Sequence, residues 1–275
     1  MSTNKTDKEL AFLHDLYVAT DWGERFAELI DEHVELPKQG RAIYVASGTG
    51  GHALALKERA GEGLTLVCVD ESPERQELAR AKAVAAKASA GTEFRVSQLE
   101  ALAFEDEQFD LVVGDASLVS PERLPEMLME MVRVAAPGAT VALNVVTASS
   151  FGEFFSVYWE ALSNTGFFEQ AAGVETLIKE LPTVSEVESA AAREALDEVR
   201  SWTRIEEFDY ASGGEFLSAP LIRDFLLGGW LASLPDEEAR ADVLREVERI
   251  IDDERHDAEF ALSIKATVVV GRKFD

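Results

Sequence analysis

The sequence predicts an α/β protein: a doubly wound, Rossmann-like sheet with an antiparallel last strand and a helical insertion. Three observations lead there. Between Ala42 and Val146, short apolar runs alternate with helix-spaced segments, the order in which parallel βαβ units are built. The first run ends in the turn Gly48-Thr49-Gly50 and the second on a lone carboxylate, Asp70, which puts turn and acid at the same edge of the sheet. Near the C-terminus, Phe260, Leu262, Ile264, Ala266, Val268 and Val270 alternate with Glu259, Ser263, Lys265 and Thr267. A period-two pattern of that length is unusual for a strand buried in a parallel sheet.

In chain order, strands are expected at 42–46, 64–70, 93–96, 110–114 and 140–146, with helices between them. Ser72 and Pro73 supply an N-cap and a first-turn proline for the helix after the second strand. Another helix opens at Ser120-Pro121 and is expected to bury Leu124, Leu128, Met131 and Ala135. The final strand should pair with 202–210. Between them, Leu221, Ile222, Phe225, Leu226 and Trp230 fall on one helical face, and Val243, Val247, Ile250 and Ile251 on another. The chain therefore divides into an N-terminal helical cap (1–40), a core (41–210), a helical insertion (211–257) and a last strand that returns to the core (258–275).

The turn and the acid together carry the chemistry. Gly48-x-Gly50-x-x-Ala53 fits a nucleotide-binding turn, in which backbone N–H groups approach a ligand at the mouth of a helix. By itself the spacing also fits an ordinary helix-entry turn. Asp70 adds what such a turn lacks: a carboxylate at a strand end, facing the glycines, placed to accept hydrogen bonds from ribose hydroxyls.

Four motifs in order then resemble the class I S-adenosylmethionine-dependent methyltransferases of the small-molecule type. Ala42 to Gly50 reads A-I-Y-V-A-S-G-T-G, against a family pattern near V-L-D-L-G-C-G-T-G. Val69-Asp70-Glu71-Ser72-Pro73, with Leu78, Ala79 and Ala83, follows the second motif, and Phe109-Asp110-Leu111-Val112-Val113 the fourth strand. Arg133-Val134-Ala135-Ala136-Pro137-Gly138-Ala139 follows the turn before the fifth. The resemblance covers roughly 42–146 and implies S-adenosylmethionine as cofactor, held by Ala46, Gly48, Gly50, Asp70, Glu71, Gln98, Leu99 and Asp115. Three positions depart from the pattern: Tyr44 replaces an acid, Ala46 a glycine, and Gln98 the acid near the adenine. A nicotinamide-dependent oxidoreductase would share the glycine turn and Asp70, but not the Ser-Pro-led helix, the Phe-Asp strand or the Pro-Gly turn. A binding protein that keeps the fold without turnover would account for the three departures.

Methyl transfer from a sulfonium is an in-line displacement, so the protein chiefly aligns the reactants and excludes water. A base is required only where the acceptor must lose a proton. His14, His33, His52 and His256 are candidates by type alone, and no catalytic base is assigned. Asp115 is a candidate for the substrate or the cofactor's ammonium, or for capping a turn. For the substrate, Phe155 and Trp230 lie on aromatic stripes that would form either a plain core or an apolar lid, with Tyr17 and Trp22 closing the other side.

Composition narrows the partners. Acidic residues number 52 against 26 basic ones, for a net charge of −26. Such a surface repels phosphate backbones and no basic patch interrupts it, which excludes nucleic acid and leaves a small molecule. The single cysteine, Cys68, rules out an intrachain disulfide or a cysteine metal cluster. No apolar run is long enough to span a bilayer, and MSTNKTDKELAF lacks a signal core, so a cytoplasmic protein is expected.

Overall fold

Seven strands form one sheet: β1 (Gly40–Val45), β2 (Leu64–Asp70), β3 (Thr92–Val96), β4 (Phe109–Asp115), β5 (Ala135–Thr147), β6 (Leu196–Tyr210) and β7 (Phe260–Lys273). The structure is a computed structural model that describes residues 5–254 and 259–274; His256 lies outside them. The strands follow the order β3-β2-β1-β4-β5-β7-β6. β1 is parallel to β2 and β4, β2 to β3, and β4 to β5, while the last strands are antiparallel. The doubly wound sheet with an antiparallel last strand is therefore as the sequence indicates. The strand order reverses between β1 and β4, and the carboxyl ends of strands at such a switch point are where open α/β sheets bind ligands.

Two compact units share the chain, divided within β6 and β7. The first comprises Lys5–Val146, Thr183–Arg204 and Ala266–Asp275. It starts with helix α1 (Asp7–Leu13), whose N-cap Thr6 and Glu9 form a reciprocal capping box. A π-helical segment, His14–Trp22, leads into α2 (Gly23–His33). Helices α3 (Gly51–Ala60), α4 (Pro73–Ala85) and α5 (Leu124–Val134) follow strands β1, β2 and β4. On one side of the sheet, Ile43, Val45, Val67, Val69 and Val112 pack in a core that includes Leu128 and Met131 of α5. The Ser72 side chain accepts a hydrogen bond from the Arg75 N–H, capping α4 as its Ser-Pro start implies. Ala135 is buried as expected, but as the first residue of β5, because α5 ends at Val134 without a loop. Helix α8 (Val184–Arg193) also belongs to this unit.

The second unit comprises Thr147–Pro182 and Ile205–Lys265. Helix α6 (Gly152–Asn164) and helix α7 (Ala171–Glu180) precede the insertion. The insertion itself holds α9 (Gly213–Ser218), α10 (Leu227–Trp230) and α11 (Glu237–Glu254), with a π-helical turn at Leu221–Leu226. The helical spacing read at 221–230 is thus split between π and α geometry, and Phe225 sits at an intermediate depth. Phe154, Tyr158, Phe216 and Phe260 are fully buried here, and Trp230 stacks on Phe154 at 4.3 Å. Among the described residues, no helix is long and apolar enough to cross a membrane.

Candidate cofactor site

After β1 the backbone turns through three left-handed residues, Ala46 (φ 57°), Gly48 (φ 55°) and Gly50 (φ 79°), before α3 begins. At Gly48 and Gly50 glycine is the natural occupant, for both conformation and space: an added Cβ would come within 2.7 Å of the His14 ring at one and 2.8 Å of Ala79 at the other. Ala46 meets the same backbone demand with a Cβ. A left-handed alanine costs about 1–2 kcal/mol, partly offset because alanine loses less freedom on folding. Ala46→Gly is therefore expected to raise stability by about 0.5–1 kcal/mol, read from urea melts at constant m-value.

Asp70 ends β2 and is 3 % exposed. Its Oδ2 accepts from the Gly48 N–H at 2.9 Å, tying the acid to the glycine turn. Its Oδ1 accepts from the Ser72 N–H at 2.9 Å and from Arg75 Nε at 2.8 Å, with Arg75 Nη2 at 2.7 Å. A carboxylate offers about four acceptor directions. Oδ1 is saturated, and Oδ2 keeps one direction for an incoming hydroxyl. The expected pairing of turn and acid is thus a direct hydrogen bond, whereas its Arg75 partner has no counterpart in the sequence motif.

The π-helical segment lies against this turn. The His14 ring packs on Gly48, and Asp15 accepts hydrogen bonds from Thr49 Oγ1 at 2.6 Å and from Lys82. Burial, reinforced by the positive charges of Arg75 and Lys82, pushes the His14 imidazole down to about 3. The fold therefore holds His14 neutral, while an unfolded chain protonates it near 6.5. The stability it contributes is complete above pH 6.5 and is lost as pH falls toward 3. We expect a loss of about 1 kcal/mol between pH 7 and 5.5, seen as lower hydrogen-exchange protection factors in 14–22 once the intrinsic pH dependence is divided out. A His14→Gln variant should flatten that dependence.

Tyr44, where the resembling family carries an acid, is buried and bonded to His52 Nδ1 at 3.0 Å. His52 Nε2 lies 2.9 Å from Asp31, which also pairs with Arg59 at 2.6 Å. A carboxylate only accepts, so His52 donates through Nε2; in the neutral ring Nδ1 then accepts from the Tyr44 hydroxyl. Burial works to raise the Asp31 carboxyl, but the bonds from His52 and Arg59 outweigh it and hold the carboxyl low. Burial, with the Asp115 carboxylate adding to it, keeps the Tyr44 phenol well above its ordinary range. Asp115 is itself raised, chiefly by desolvation, against the lowering effect of its bond from the Ser117 N–H at 3.0 Å.

The other expected site residues are scattered more widely. Glu71 pairs with Arg123 at 2.6 Å, and Arg123 also binds Glu100. Gln98 is exposed and Leu99 buried. Trp22 is buried and donates to Ser117 Oγ at 2.9 Å, whereas Tyr17, on the same segment, is 53 % exposed. Phe155 and Trp230 meet each other edge to face at 5.9 Å in the second unit. His33 stacks on Trp202 at 4.2 Å. Burial pushes the Cys68 thiol up to about 12, so that it is held as a neutral thiol at physiological pH.

Residues 42–138 match the family described as "Methyltransferase domain". A ubiquinone/menaquinone biosynthesis C-methyltransferase, UbiE of Geotalea daltonii, is 27 % identical over 125 residues, 46 % of this chain and 53 % of that protein. A demethylmenaquinone methyltransferase of Thermus thermophilus is 35 % identical over 139 residues, 50 % of this chain and 59 % of the relative. The chain thus spans little more than half the length of these relatives. Among solved structures, phosphoethanolamine N-methyltransferase 2 of Haemonchus contortus, with phosphomonomethylethanolamine and S-adenosylhomocysteine, superposes with a TM-score of 0.59 at 14 % identity. That match covers 99 % of this chain and 59 % of the other, and it shows the shared fold.

Proposed function

We propose that this chain, whose residues 42–138 belong to the methyltransferase domain family, is an S-adenosylmethionine-dependent methyltransferase acting on a small, largely apolar molecule. The observation that carries this reading is Asp70: buried, tied to the Gly48 N–H, and left with one acceptor direction on Oδ2. The site suits the cofactor. Asp70 would hold the ribose through a hydroxyl donated to Oδ2, the Gly48–Gly50 turn with Ala46 would line the backbone approach, and Glu71, Gln98 and Leu99 would flank the nucleoside. Asp115 would face the ammonium. Bound there, S-adenosylmethionine supplies an electrophilic methyl group on a sulfonium.

The chain's own contribution is alignment and exclusion of water. Tyr17 and Trp22 of the cap (1–40), or Phe155 of the helix after β5 and Trp230 of the insertion (211–257), are the candidates for contact with the acceptor. The core (41–210) and the last strand (258–275) form the platform. Quinone biosynthesis in the relatives' names agrees with an apolar acceptor. The net charge of −26 opposes a nucleic-acid substrate, and the single buried cysteine suits a cytoplasmic location. A second reading, binding without turnover, draws on Tyr44, which is engaged with His52 where related enzymes carry an acid.

Calorimetry with S-adenosylmethionine, S-adenosylhomocysteine and NAD separates these readings. The proposal expects both sulfur compounds to bind and NAD not to. Binding of NAD alone, or of none of the three, would overturn it. Binding of both sulfur compounds without methyl transfer to any quinone or phenol acceptor would favour the second reading.

A further inference from the structure

The second unit carries an open-sided cavity of about 480 Å³ between α9, the π-helical turn, α10 and α11. Its size falls in the range of about 300–1,000 Å³ that holds small organic ligands. The walls combine two kinds of residue. Leu217, Leu227, Leu231 and Leu244 make them apolar, and Arg223, Arg240, Arg245 and Glu248 add charged side chains to the lining.

We propose that this cavity binds an amphipathic monoanion, an apolar body carrying one carboxylate. Two further observations support a ligand. Arg240 Nε is buried with no hydrogen-bond partner, although its Nη1 pairs with Glu237 at 3.3 Å. A buried donor without an acceptor is costly, and a ligand carboxylate would supply that acceptor. The carboxylates that pair with the arginines, Asp224, Glu237 and Asp242, are not among the lining residues.

The second observation is Gly228. An added Cβ there meets nothing within 4 Å, and the residue is helical, so neither conformation nor crowding requires glycine. Glycine in a helix costs about 1 kcal/mol relative to alanine. Its effect here is to leave the wall open. The adjoining π turn supplies Arg223, and such turns recur at functional sites. The site stands independently of the methyl-transfer reading, since neither its residues nor its chemistry involve the glycine turn or Asp70.

The test is calorimetry on the full chain, without S-adenosylmethionine, using decanoate, decan-1-ol and decylammonium. Decanoate is expected to bind one to one and at least tenfold more tightly than the alcohol, with the amine weakest. Arg240→Gln should lower decanoate affinity about tenfold and leave the alcohol unchanged. Gly228→Phe should abolish binding of both while preserving the melting temperature. Equal affinity for the three probes, no binding of any, or decanoate binding unaffected in a folded Gly228→Phe protein would each overturn the proposal. The selectivity of the parent protein and the Arg240→Gln result decide the matter should Gly228→Phe fail to fold.

Discussion

Replacing Asp70 by alanine is expected to lower affinity for S-adenosylmethionine by about ten- to a hundredfold. The basis is the loss of one charge-assisted hydrogen bond in a buried site, about 1.5–3 kcal/mol. Asp70 also organises its surroundings, because its carboxylate holds the Gly48 N–H, the Ser72 N–H and Arg75. The variant therefore leaves the half-buried Arg75 cation and two N–H donors unmatched, and some loss of stability should accompany the loss of binding. The two effects separate experimentally: affinity is measured by calorimetry well below the melting temperature, and stability by denaturant melts. Asp70→Asn separates the contributions further: its amide oxygen can still accept from Gly48, while the charge and the bonds from Ser72 and Arg75 are lost because the amide NH2 cannot accept. A folded Asp70→Ala protein that binds the cofactor as tightly as the parent would exclude the assigned role.

The parallel core was legible because each of its strands carries its own signal. β2 is a continuous apolar run that stops on an acid, and its observed bounds are Leu64–Asp70, as read from the sequence. β5 was harder. Pro137-Gly138 reads as a turn ahead of the strand, yet the strand starts at Ala135 and absorbs the pair in a register shift between Phe109↔Ala135 and Leu111↔Thr140. A proline and a left-handed glycine mark a bulge here, which local sequence does not distinguish from a turn. The first half of β6 escaped notice because charges crowd it and Glu198 is left-handed, which breaks the alternation.

For the site, the short-range part was legible and the long-range part was not. Gly48, Gly50 and Asp70 are linked by motif spacing, and they do meet. The Tyr44–His52–Asp31 chain joins one strand and two helices, and nothing in the spacing of positions 31, 44 and 52 announces it. The packing of His14 on Gly48 is equally silent, since the N-terminal segment has no motif to anchor it. Local periodicity reports which face of an element is apolar, whereas these contacts depend on where whole elements dock.

Trp230→Ala is expected to cost about 3–5 kcal/mol of stability, the range for removing a large buried aromatic side chain. Trp230 is 6 % exposed and touches three phenylalanines: it stacks on Phe154 at 4.3 Å and meets Phe151 and Phe155 at 5.1 and 5.9 Å. Phe154 in turn stacks on Tyr158 and contacts Phe216, so the indole sits in a continuous aromatic cluster of the second unit. Truncation removes contact area on several sides at once, and neighbours held in ring-to-ring packing close the gap only in part. A substrate lid would behave differently, since a side chain that waits for a ligand loses turnover and little stability on truncation. Denaturant melts of Trp230→Ala and Phe155→Ala decide between these roles. Large losses in both assign the stripe to the core and move the search for the acceptor's contacts to Tyr17 and Trp22. Melts within about 1 kcal/mol of the parent, together with lost transfer, would restore the lid.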